Sequence, residues 1–91
     1  MIYDIEFSKE AKSDIDHLKR SEPQAYKKLK KLLIELQQRP TTGTGHPKPL
    51  SGDRAGQWSR RINEKHRLVY EIDEEKLIVY ILTLRKHYND K

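Results

Sequence analysis

The chain has 91 residues, no cysteine, and only 34% of its residues are hydrophobic, so it can support one small core, and a single domain over residues 1–91 is expected. The lack of cysteine excludes disulfides and thiolate metal sites. No apolar run approaches the about 20 residues of a membrane span and no stretch resembles a signal peptide, so a cytoplasmic protein without membrane contact is expected. The net charge of +5 lies in the middle of the chain: residues 39–70 carry seven Lys/Arg against two Asp/Glu, while the flanking segments nearly balance. Such a local basic excess favours a polyanionic partner, with RNA, DNA and acidic protein all candidates.

Ile2 to Phe7 alternates apolar and acidic side chains, which predicts an opening strand. Ser8 is placed to cap a first helix whose stripe is Ala11, Ile15 and Leu18, ending near Arg20. Ser21, with Gln24 at the capping-box position and Pro23 in the first turn, predicts the start of a second helix. Tyr26, Leu29, Leu33 and Leu36, with Leu32 beside them, line its apolar face. Lys27, Lys28, Lys30, Lys31 and Glu35 form a solvated face. Pro40 ends this helix. Residues 39–57 read as a long loop rich in Gly, Pro and Thr, and its GTG is too short to be a phosphate motif. Pro47 and Pro49 flank Lys48 and hold its backbone extended.

Trp58 to Ile62 and His66 to Ile72 predict a β-hairpin with Asn63-Glu64-Lys65 as its loop. In that register Trp58 faces Tyr70, Arg60 faces Leu68, and Arg61 faces Arg67 on the opposite side of the sheet. A slip by one residue would mix apolar and charged positions on both faces. Two opposed arginines repel, which is easier to understand if an anion sits between them; the alternative is that flanking acids such as Glu71 relieve the repulsion. Leu77 to Leu84 is apolar at nearly every position and predicts a central strand covered on both faces. The order is therefore β-α-α-β-β-β, an α+β fold with two helices on one face of a mainly antiparallel, four-stranded sheet.

Nucleophilic catalysis by the protein finds little support, since there is no cysteine and no serine elbow. His17, His46, His66 and His87 lack metal-ligand spacing, so no metal or other cofactor is expected. Metal-free RNA cleavage fits better, because RNA supplies its own nucleophile, the 2′-OH. The protein then needs a base, an acid and cations for the charge developing on phosphorus. His87 is the natural general acid and Tyr88 can stack on a base. Arg67 and Arg61 suit two-point contact with a phosphate, and Lys48 or His46 is left as the base. Arg60, His46 and Arg85 complete the expected RNA contacts.

The stretches GTGHPKPL and GQWSRRINEKHRLVY, with HY near the C-terminus, resemble the YoeB/Txe branch of the RelE-type toxins. The resemblance runs from the opening strand to Tyr88. It implies an α+β toxin of a type II toxin–antitoxin system that enters the ribosomal A site and cuts mRNA there. It also implies a cognate antitoxin as partner, operator DNA bound only through the toxin–antitoxin complex, and a homodimer as a form able to bind the ribosome. Arg67 is then the transition-state arginine, His87 the acid, Tyr88 the positioning residue and Arg61 an RNA contact. Lys48 departs from the family, which usually has a glutamate base there, and the family's lysine three residues on is Ser51 here. Lys48 is then the base, or only a phosphate contact. The alternative is a weak or silent homologue that binds ribosome or antitoxin.

Overall fold

A computed structural model describes residues 2–84. Strand β1 (Asp4–Phe7) leads into helix α1 (Lys9–Ser21), helix α2 (Pro23–Gln38), a two-residue strand β2 (Lys48–Pro49), a 3₁₀ turn (Gly52–Arg54), and strands β3 (Gln57–Arg61), β4 (Arg67–Asp73) and β5 (Ile78–Thr83). The sheet has five strands in the order β1-β5-β4-β3-β2. Three of its pairings are antiparallel and β1 runs parallel to β5. The expected four strands become five because Lys48 and Pro49, extended as their proline neighbours require, hydrogen-bond to β3. A proline lacks an N–H and suits this edge position.

Ser8 caps α1, its Oγ accepting from the Ala11 N–H at 2.9 Å and donating to the Leu82 carbonyl at 2.8 Å. The same hydroxyl thus starts the helix and ties it to β5. The second helix does not start on a Ser21 capping box. Ser21 stays in α1, and the break falls on Glu22, which sits at φ −138° and ψ 72° without a side-chain cap. Pro23 explains this, because a residue before proline is driven out of the helical region.

The core is built from Ala11 and Leu18 of α1, Ala25, Leu29, Leu32 and Leu36 of α2, and Leu68, Tyr70, Val79 and Ile81 of the sheet. The buried stripe of α2 is centred one position from the expected one, with Tyr26 and Leu33 at its margin. Strand β5 is interior, as its composition predicted, but only one of its faces is sealed. Val79 and Ile81 are buried, while Ile78, Tyr80 and Leu82 are partly exposed. Both helices pack on one side of the sheet; the other, the open face, carries no helix among the described residues, although Ser59 and Val69 are buried on it.

The hairpin register is the expected one: Trp58 pairs with Tyr70, Ser59 with Val69, Arg60 with Leu68 and Arg61 with Arg67. Asn63 Oδ1 accepts from the Lys65 and His66 N–H groups, which shapes the loop. No helix among the described residues is long and apolar enough to cross a membrane.

Candidate active site

Arg60 decides which way the hairpin faces. Its side chain is fully buried and points to α2, where Nη1 donates to Glu35 Oε1 at 3.0 Å. Nη2 donates to the carbonyls of Arg39 and Thr42 at 3.0 and 2.8 Å. Arg60 is therefore not an RNA contact. A guanidinium committed to a carboxylate and two carbonyls inside the fold is not offered to a ligand.

Glu35, expected on the solvated face of α2, is instead the other half of this anchor. It also accepts from the Thr44 N–H at 2.9 Å and from the Thr44 hydroxyl at 2.7 Å. The Thr44 hydrogen bonds, with the nearby Arg60 charge, hold its carboxyl below the usual range. Tyr70 donates to the Pro40 carbonyl at 2.6 Å, and burial pushes its phenol up. The loop after α2 is thus bound through the carbonyls of three residues, Arg39, Pro40 and Thr42. The GTG stretch has a structural use that its length concealed. At Gly45, with φ +90°, a Cβ would lie 2.6 Å from Arg60 Cγ and 2.7 Å from the Arg61 carbonyl oxygen. At Gly43 it would lie 2.6 Å from Glu35 Oε1. The Gly45 carbonyl accepts from the Arg61 N–H.

This loop leads through His46 to Lys48, which pairs with Ser59 at the sheet edge. His46 is exposed and has φ 53°, a left-handed conformation uncommon outside glycine. Side chains alternate along a strand, so with Arg60 turned inward, Ser59 and Arg61 face outward. The cross-strand rows follow from the register. Arg61 lies opposite Arg67, and Lys48, Ser59 and Val69 form the next row. Rows two residues apart are about 7 Å apart along the strands, so Lys48 and both arginines can flank one phosphodiester. Lys48 and Arg61 are exposed and Arg67 is half-buried.

Further along the same face the charge reverses. Gln57, Glu71, Tyr80 and Glu6 form one row, and Asp73, Ile78 and Asp4 the next. Glu74 and Glu75 continue this half into the turn, where Tyr3 donates to Glu74 at 2.7 Å, a bond that raises the Tyr3 phenol. The open face is basic at one end and acidic at the other. His66 packs behind the hairpin, 4% exposed, with Nε2 at 3.0 and 3.1 Å from the two Glu22 oxygens. That bond lowers the Glu22 carboxyl. His66 therefore fastens the hairpin to the junction of α1 and α2. Among the described residues no group of His, Cys, Asp or Glu is placed to hold a metal.

Of the expected site residues, the structure brings together Lys48, Arg61 and Arg67, with His46 two residues from Lys48. His87, Tyr88 and Arg85 lie outside the described residues, as does the expected bend near Lys86. Nothing in the sequence separated Ser59 from its neighbours as a member of the site face. Only the register and the inward turn of Arg60 do so.

The model of the YoeB-like toxin of bacterial type II toxin–antitoxin systems matches residues 7–88. The chain belongs to this family. It is 37% identical over 84 residues to Toxin YoeB of Streptomyces coelicolor, covering 92% of this chain and 98% of that protein. It is 35% identical over 82 residues to Toxin YoeB of Escherichia coli K12, covering 90% and 95%. Among solved structures it resembles the YoeB dimer of Staphylococcus aureus, with TM-score 0.85 and 31% identity over 97% of this chain and all of that one. It also resembles YoeB in the YoeB–YefM complex of the same organism, with TM-score 0.83, 31% identity and the same coverage. The chain is thus a YoeB-family toxin of a type II toxin–antitoxin system, and its five-stranded α+β fold matches those relatives.

Proposed function

We propose that this YoeB-family toxin is a metal-free endoribonuclease that cuts mRNA in the ribosomal A site and so blocks translation in the cytoplasm. The opposed Arg61–Arg67 pair carries the reading. Two like charges are held face to face on the open side of the sheet with a third cation, Lys48, one row away. A phosphodiester lying between them can be held by both guanidinium groups at once, the two-point contact that arginine geometry suits.

In the reaction the RNA 2′-OH attacks the adjacent phosphorus in line. The P–O bond to the 5′-oxygen breaks, leaving a 2′,3′-cyclic phosphate and a 5′-OH. Arg67 and Arg61 stabilise the charge on the non-bridging oxygens. Lys48, as its neutral amine, takes the 2′-OH proton, with His46 beside it as an RNA contact. His87 returns a proton to the leaving oxygen, Tyr88 positions the base, and Arg85 adds a phosphate contact. The acidic half of the open face repels the backbone and confines RNA to the basic half.

The relatives' complexes support an antitoxin partner of the YefM kind, and the dimer of the Staphylococcus aureus relative supports a homodimer as one form of this toxin. Operator DNA is reached only through the antitoxin complex. Primer extension on a defined mRNA with purified ribosomes tests the reading, with Arg67→Ala and His87→Gln beside the unsubstituted protein. Discrete A-site cuts that both variants lose are expected. Ribosome binding without cuts by the unsubstituted protein would overturn it in favour of a silent binding homologue.

A further inference from the structure

One buried polar atom on the open face is left unused by the chemistry above. Ser59 is fully buried, and among the described residues its Oγ has no hydrogen-bond partner. A hydroxyl can donate once and accept twice, and burying it unpaired weakens a fold. An alanine would pack in the same place without that penalty.

The surroundings of Ser59 narrow what its hydroxyl can serve. Arg60 turns to α2, so Ser59 turns to the open face. Its cross-strand partners are Val69 on one side and Lys48 on the other. Val69 is apolar and fully buried, and offers the hydroxyl nothing. Lys48 brings N–H donors on a flexible stem. Directly opposed strand residues have Cβ atoms about 5 Å apart, within reach of a lysine folded across the strand. Pairing of the Lys48–Pro49 strand with β3 keeps Lys48 in that register.

We propose that Ser59 is a positioning residue for Lys48: its Oγ accepts a hydrogen bond from Lys48 Nζ when RNA occupies the Arg61–Arg67 end, and so holds that nitrogen over the sheet beside the reacting ribose. This rests on the nuclease reading above. The lysine stem is long and flexible, and a fixed acceptor beneath it restricts where its nitrogen can sit. The buried Ser59 Oγ is then one half of a bond that substrate completes.

The test is a double-substitution cycle in single-turnover cleavage of ribosome-bound mRNA, using the unsubstituted protein, Ser59→Ala, Lys48→Ala and the pair, with thermal unfolding of each. Ser59→Ala should keep or raise Tm yet cut about tenfold more slowly, the size of one lost hydrogen bond. In the Lys48→Ala background it should cause no further loss. Full-rate cutting by Ser59→Ala, an equal loss in both backgrounds, or a fall in Tm large enough to explain the loss would overturn the inference alone. No cutting by the unsubstituted protein would overturn the nuclease reading and this inference with it.

Discussion

Arg60 and Glu35 form an ion pair of 3.0 Å between β3 and α2, with the arginine side chain fully buried. Two backbone carbonyls of the following loop share the same guanidinium. Arg60→Ala would leave Glu35 without its cation and two carbonyls without a donor. Removing one partner of a buried pair costs about 3 kcal/mol or more. Urea unfolding should show that loss. Hydrogen exchange should show the Thr44 and Arg61 amides opening with it.

The same pair makes stability depend on pH in a stated direction. The folded Glu35 carboxyl lies below its unfolded value of about 4.3. Its contribution is complete above that value and is lost as pH falls through the lower folded one. Glu35→Gln should therefore be less stable at neutral pH, and the gap should close on acidification below about pH 4. Unfolding free energies measured across that range check this.

Tyr70 donates to the Pro40 carbonyl from a fully buried position. Tyr70→Phe keeps the ring and leaves that carbonyl unpaired, a loss of about 1–3 kcal/mol. Chemical denaturation measures it, and cleavage should weaken less than stability because the residue faces the helices.

Arg61→Ala should separate stability from activity in the opposite sense. It removes one of two opposed arginines, so the fold should be unchanged or more stable by about 0.5 kcal/mol. Cleavage on the ribosome should fall by about 100-fold if the guanidinium stabilises the developing charge. Parallel melting and primer-extension assays check both halves.

The β3–β4 register was legible because binary pattern and the three-residue loop agree, and a slip would have mixed both faces. The extended backbone at Lys48 was legible from its two prolines, although its pairing as a fifth strand was not. Two residues cannot show a periodicity. Arg60 and Glu35 misled for a common reason. Each is a charged residue in a charged stretch, and only tertiary packing shows that they meet 25 positions apart. Ser59 carried no local signal at all. The acidic half of the open face was also hidden, since its residues come from β1, β4 and the turn after it, far apart in the chain.

The parallel neighbour of β1 is β5, and contacts such as Ser8 with Leu82 span 74 positions. A chain made from its N-terminus carries β1 without its sheet partner until every other described strand has been synthesised. The interior strand that joins β1 to the hairpin is the last of them to appear. Early pieces of the chain can form helices and the hairpin, but not the finished sheet, and closure through such distant contacts is slow. The sheet is therefore completed only once β5 has been made, whereas the Arg61–Arg67 pair can form with the hairpin before it.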